Sequence, residues 1–177
     1  MREACPICGN FLVLPAGPED SPIILIGEFP GYYEILNGWP FAGPSGEILE
    51  SELDRVGIRL SRCRQTNLWL HAIPPAKEGR GVNPLYSVEA KWHNDKMMEE
   101  LIHPARKVAL LMGSDVARYF GYGNISDVTS LPVKSKLIPS KCRAVASYNP
   151  AIAEYGTIGE IRLAMDTLAR YAKGLWK

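Results

Sequence analysis

The sequence predicts a three-layer α/β/α domain built on a central, mainly parallel four-stranded sheet. Two observations carry that expectation. Short apolar runs without polar alternation, such as IILI at 23–26 and VALLM at 108–112, suit strands buried on both faces. Segments of helical periodicity separate them, and this alternation is the mark of an α/β domain. With 177 residues, 46% of them hydrophobic and 22% charged, the chain suits one domain, 1–177, able to bury a full core.

The elements follow in order. IILIGE is the first strand. Ser45, before EILESELDRVG, is the expected N-cap of a helix that places Ile48, Leu49, Leu53 and Val56 on one side and stops at Gly57. RQTNLWL is the second strand, followed by a long connection and a helix from about Ser87 to Ile102. KVALLMG is the third strand, with a short helix from Ser114, and CRAVASY is the fourth. A closing helix spans about 158–173, with apolar positions at Ile161, Leu163, Ala164, Leu168 and Tyr171. Parallel strands point their C-terminal ends to one edge, so GEFPG, the TN of RQTNLWL, GSD and SYNPA are expected to converge on one cleft.

Composition narrows the function. No apolar run approaches a membrane span, and MREACPICGN lacks the apolar stretch of a signal peptide, so an intracellular, cytoplasmic protein is expected. The net charge of +1 neither demands nor excludes a nucleic-acid partner. The groups Arg55, Arg59, Arg62, Arg64 and Lys134, Lys136, Lys141, Arg143 suit phosphate contacts or solvated surface, with solvation favoured. Cys63 and Cys142 lie beside strands and read as small buried hydrophobes, whereas Cys5 and Cys8 form a CxxC knuckle within residues 1–10.

The stretch GEFPGYYEILNGWPFAGPSG, residues 27–46, concentrates glycine, proline, aromatics and two glutamates. Backbone shapes fixed by glycine and proline hold such side chains at defined places, as a pocket requires, although a surface loop sealing a helix has the same composition.

These motifs, in this order, resemble the uracil-DNA glycosylase superfamily, specifically its family-four branch, which usually carries an iron-sulfur cluster. GEFPGYYEILNGWPFAGPSGEIL is similar to that branch's first motif, TNLWL to its second strand, and KVALLMGSDVARYF to its next strand and helix, while SYNPA stands in place of an HPS-like motif. The resemblance covers nearly the whole chain and implies a monofunctional DNA glycosylase, acting as a monomer on DNA that holds the target base. Such an enzyme flips a uracil or a modified pyrimidine, such as a bulky base in viral DNA, out of the stack, cuts its N-glycosidic bond with water and leaves an abasic site. A DNA-binding protein that recognises a damaged or modified base with little catalysis is the alternative.

By position, the resemblance makes Phe41 the ring that stacks on the base and Asn67 the reader of its edge. Gly27, Pro30, Gly31 and Tyr32 surround the base. Glu28, first, and Glu34, second, are the catalytic carboxylates, and Asn149 replaces the motif histidine as a donor toward the base. Ser147, Pro150 and Ile152 face DNA, Ile152 with Tyr155 as a wedge into the stack. Lys77 and Arg80 in the long connection are phosphate contacts or part of a solvated loop. Three departures bear on substrate: Asn149 cannot carry charge, Ile35 stands where aspartate or asparagine is common, and Tyr32 and Tyr33 enter a usually acidic segment.

Cys5 and Cys8 match the first two cluster ligands, while His71 and His93 stand where the third and fourth are expected. A Cys-Cys-His-His set suits a structural zinc, with a cluster of mixed ligation as the competing reading.

Overall fold

The computed structural model describes residues 3–72 and 87–175, apart from the side chain of Glu154. The sheet contains β1 (Ile23–Gly27), β2 (Arg64–Asn67), β3 (Val108–Met112), β4 (Pro132–Val133) and β5 (Arg143–Ser147), in the order β2-β1-β3-β5-β4. Its four longer strands are those expected from the sequence, and all pair in parallel. The fifth is a correction to the expected four: β4 pairs antiparallel with β5 through Pro132 and Val133 alone, too short to leave a periodic signal. Its proline stands at the sheet edge, where a missing N–H is tolerated.

The helices are α1 (Tyr32–Asn37), α2 (Pro44–Arg55), α3 (Val88–Ile102), α4 (Ser114–Tyr119), α5 (Ile125–Val128) and α6 (Ile158–Ala172). α2 begins earlier than expected. Gly43 is its N-cap and Pro44 opens its first turn, where the fixed φ of proline suits the helix and its missing N–H has no intrahelical role. Ser45 therefore lies inside the helix. α3 starts where expected, with Ser87 as its N-cap: Ser87 Oγ accepts from the Ala90 N–H at 2.9 Å.

Every residue of β1 is buried, because consecutive side chains enter two different cores. Ile24 and Ile26 join Met97 and Leu101 of α3 and Val116 of α4 on one face. Ile23 and Leu25 join Leu49 and Leu53 of α2 and Ile161, Met165 and Leu168 of α6 on the other. This is the three-layer arrangement. Truncating a fully buried leucine such as Leu110 to alanine costs about 2–5 kcal/mol, through lost burial and the cavity left behind. Cys63 and Cys142 are buried as expected. Arg64, expected among solvated charges, is instead buried in a two-pronged pair with Glu100. No helix among the described residues is long and apolar enough to cross a membrane.

Candidate functional site: a carboxylate cleft and a cysteine-histidine knuckle

The ends of the four parallel strands meet. Gly27 at the end of β1 and Glu28 just after it, Asn67 at the end of β2, Met112 of β3 and Asn149 after β5 line a cavity of about 310 Å³, closed further by Phe29, Gly31, Glu34, Phe41 and Ile152. The parallel sheet and its short strand-end turns bring these distant positions together.

Glu28 is held at both carboxylate oxygens. The Asp115 N–H at the start of α4 donates to Oε1 at 2.9 Å, and Asn149 Nδ2 donates to Oε2 at 2.9 Å. Asn149 is itself anchored, its Oδ1 accepting from the Ala151 N–H at 3.0 Å. The amide expected to point at a base thus spends one N–H on Glu28, and its second N–H remains available for a ligand. Glu34 is buried and its Oε2 accepts from the Gly31 N–H at 3.0 Å, so this carboxylate fixes the entry to α1 while lining the cavity.

Two glycines make room for the aromatic and the amide. A Cβ on Gly27 would come within 2.4 Å of Asn67 Oδ1 and 3.2 Å of Phe41 Cε1, so the bare backbone lets both side chains approach the end of β1. A Cβ on Gly46 would lie 1.8 Å from the Phe41 carbonyl oxygen. Phe41 has φ of 57°, a left-handed conformation that a bulky residue adopts at a cost of about 1–3 kcal/mol, and that close packing against α2 sustains it. Asn67 is buried, and no described residue hydrogen-bonds its side-chain amide.

A second cluster lies away from the cavity. The knuckle closes on itself through the Gly9 N–H to Cys5 carbonyl and Cys5 N–H to Asn10 carbonyl bonds, both 2.8 Å. It docks through the Val13 N–H to the Leu70 carbonyl, with Cys5, Leu12 and Leu70 in one small core. Cys8 Sγ lies 3.4 Å from His71 Nε2, and Cys5 Sγ lies 3.9 Å from His93 Nε2. A tetrahedral ion with one thiolate and one imidazole has a donor-to-donor edge of about 3.6 Å, so these separations suit a single ion. Glu89 enters the same group: its Oε1 is 2.9 Å from His71 Nε2, and the ligand atoms of Cys5, His71, Glu89 and His93 all lie within 4.8 Å of one another.

The imidazoles are prepared differently. His71 Nδ1 faces the Ala72 carbonyl at 2.8 Å, which fixes the proton there and turns Nε2 inward. Burial, with the charge of His71 beside it, pushes the His93 pKa down to about 4, so its ring is neutral, the form a metal requires. The Leu70 N–H donates to His93 Nδ1 at 3.3 Å, which places the ring proton on Nε2; ligation by the neutral ring through Nε2 requires the proton to move to Nδ1 and this backbone bond to be given up. Burial alone would raise the Glu89 carboxyl, but hydrogen bonds with Cys8 and His71 outweigh it and hold the group below the usual carboxylate range.

The uracil DNA glycosylase superfamily model matches residues 14–165, a span that includes all four longer strands and every wall of the cavity. The chain belongs to the uracil DNA glycosylase superfamily. A type-4 uracil-DNA glycosylase from Archaeoglobus fulgidus is 29% identical over 145 residues, 78% of this chain and 70% of that protein.

In this uracil DNA glycosylase superfamily member, the expected residues divide into four groups. Gly27, Glu28, Gly31, Glu34, Phe41, Asn67, Asn149 and Ile152 line one cavity. Pro30, Tyr32, Ser147 and Pro150 lie outside its wall. Pro30 and Pro150 are buried, Ser147 is buried with its Oγ donating to the Tyr148 carbonyl, and Tyr32 is 73% exposed. A buried Ser147 supports the turn after β5 rather than presenting a surface to DNA. Lys77 and Arg80 fall outside the described residues. Of the four expected metal ligands, Cys5, His71 and His93 gather with Glu89, which the reading from sequence missed, while Cys8 approaches the group through His71. The position of Glu89 one helical turn before His93 on α3 is the signal that finds it.

Proposed function

We propose that the protein is a monofunctional DNA glycosylase that hydrolyses the N-glycosidic bond of an everted uracil or modified pyrimidine. The observation that carries this reading is the Glu28 carboxylate, held by the Asp115 N–H and Asn149 Nδ2 within a cavity that also holds Phe41 and Asn67. Breaking the bond leaves positive charge on the deoxyribose and negative charge on the base. Glu28, fixed in advance, stabilises the cationic sugar without reorganising, and the spare lone pairs of its oxygens accept a proton of the attacking water. Phe41 offers its ring to the base face and Asn67 its amide to the base edge. The second N–H of Asn149 faces the charge developing on the base. Among the described residues no lysine lines the cavity, which supports water rather than an amine as nucleophile.

The volume stands near the lower end of the range of roughly 300–1,000 Å³ for small-molecule pockets, which suits a single base with modest substituents. The product is an abasic site. Incubation of uracil-containing DNA with the wild-type protein should yield alkali-labile sites, and Glu28→Gln should slow their formation by roughly 10²–10⁴-fold. An unaltered rate in the variant would overturn the assignment. A second reading, recognition of a modified base without cutting, is favoured by the un-ionisable Asn149. Tight binding to a modified duplex with no abasic product is its signature.

For the knuckle we favour one structural zinc held by Cys5, His71 and His93 with Cys8 or Glu89. Cys8 Sγ beside His71 Nε2 at 3.4 Å and Cys5 Sγ beside His93 Nε2 at 3.9 Å match the edges of one tetrahedral ion, which favours zinc over a cluster of mixed cysteine and histidine ligation. The zinc would contribute folding energy by tying the N-terminal knuckle to Leu70 and α3.

A further inference from the structure

We propose that a second cavity, at the end of the sheet away from the cleft, binds a small phosphate monoester carried on an aromatic ring body, the chemistry of a nucleoside monophosphate. The inference goes beyond the glycosylase reading and does not rest on it, since the two cavities share no lining residue.

The β4–β5 hairpin builds this site. Its cavity, of about 350 Å³, lies between Val133 of β4, Ala144 near the start of β5, the connection 134–142 and Tyr171 in the last turn of α6. β5 runs from here to Ser147 beside the cleft, roughly 13 Å at about 3.3 Å per residue. The connection is held in place. The Ile138 N–H donates to the Ser135 carbonyl at 3.1 Å, the Cys142 N–H to the Pro139 carbonyl at 2.8 Å, and the Tyr122 hydroxyl to the Lys134 carbonyl.

The floor is apolar and the rim is cationic. Val133, Ile138, Cys142 and Ala144 are buried, while Lys134, Arg143, Ser135 and Ser140 supply the polar part of the wall. No aspartate or glutamate lines the cavity among the described residues, and residues 128–153 contain Lys134, Lys136, Lys141 and Arg143 but no acid. The Arg143 guanidinium stands 5.0 Å over the centre of the Tyr171 ring, which fixes it at the rim. Among the described residues no carboxylate meets it or the Lys134 ammonium. Ser135 Oγ accepts from the Leu137 N–H at 3.3 Å, so its O–H is left to donate. Burial pushes the Cys142 thiol up to about 11 although Arg106, Lys141 and Lys107 act to lower it, so the floor keeps a neutral thiol within a positive field.

This combination selects the ligand. Two cations and two hydroxyls match a doubly charged group with three terminal oxygens, which a phosphate monoester has and a carboxylate lacks. Inorganic phosphate would leave the apolar floor uncovered, and a neutral nucleoside would leave both cations without a partner. The volume, near the lower end of the range of roughly 300–1,000 Å³ for small-molecule pockets, suits one ring system and not a dinucleotide.

Isothermal titration calorimetry on the full chain at low salt tests the site with adenosine 5′-monophosphate, phenyl phosphate, adenosine and inorganic phosphate. At least one of the two monoesters should bind about tenfold or more tightly than both adenosine and inorganic phosphate, and the stronger of the two tells a nucleotide from a smaller aromatic ester. Arg143→Gln and Lys134→Gln, both at exposed positions, should each weaken that binding by roughly tenfold. Lys96→Gln, which removes a charge from the surface of α3, should leave it within about twofold. Inorganic phosphate binding as tightly as the monoesters, no binding by either monoester, or affinity unchanged in both cavity variants would overturn the proposal. So would affinity lost in Phe41→Ala instead, which would put the ligand in the cleft. Uracil excision decides the glycosylase reading separately, and either reading can fail without the other.

Discussion

Asn149 Nδ2 donates to Glu28 Oε2 at 2.9 Å, joining the ends of β5 and β1 across 121 positions of sequence. The bond makes the side chain that replaces an expected histidine a positioning residue for the carboxylate. Asn149→Ala should therefore lower kcat by roughly 10–100-fold through a loosened Glu28, with KM changed less. Asn149→Asp should be worse, because two carboxylates in hydrogen-bond range repel each other. Single-turnover excision assays on both variants check the order, and an aspartate variant as active as wild type would exclude the positioning role.

Gly27→Ala should separate folding from function. The atom its Cβ meets first, Asn67 Oδ1 at 2.4 Å, is the end of a side chain and can move aside, so the sheet should survive. The displaced amide no longer sits where a base edge would meet it. A melting temperature within a few degrees of wild type, with excision efficiency reduced by roughly tenfold or more, is expected. Circular dichroism melting beside the excision assay measures both.

The knuckle should affect stability more than chemistry. Elemental analysis of purified protein should find one zinc per chain, and a brown, iron-rich preparation would exclude that donor assignment. Chelation or His71→Ala should lower the melting temperature by about 5–10 °C, for a loss of ~2–3 kcal/mol. Glu89→Gln, compared with Cys8→Ser in retained zinc, should show which side chain completes the shell.

Glu100 supplies a pH-dependent element away from the cleft. It accepts from Arg64 Nε at 2.7 Å and Nη2 at 2.8 Å, and the buried Arg106 guanidinium stands 3.5 Å away. Burial would raise its carboxyl, but the bond from Arg64 and the charges of both arginines outweigh that and hold it below the usual range. A carboxyl depressed on folding stabilises the protein above its unfolded pKa and loses that contribution as pH falls through the folded value. Glu100→Gln should cost about 1–3 kcal/mol near neutral pH, and the gap from wild type should narrow as the medium is acidified below about pH 4.5. Urea unfolding across that window reads it, and a constant gap would exclude the mechanism.

The parts legible in the sequence were those set by local pattern. IILIG and VALLM read as doubly buried strands because hydrophobic runs of that length fit no other place in an α/β layer, and parallel pairing then carried Gly27, Asn67 and Asn149 to one edge. α1 escaped because six residues between Gly31 and Gly38 hold too few turns to show a period, and Glu34, which closes its first turn, reads equally well as a surface charge. β4 escaped for the same reason of length.

The sequence by itself determined the layer architecture, the family and the company of residues around the cleft, because burial period and strand-end motifs are local properties. Only the tertiary structure decided that Asn149 turns toward Glu28, that Glu89 joins the cysteines and histidines, and that Arg64 and Arg106 share the half-buried Glu100 carboxylate. Those outcomes depend on side-chain directions and on competition among neighbours brought together by folding, and hydrogen bonds, which act over about 3 Å, are decided at that scale.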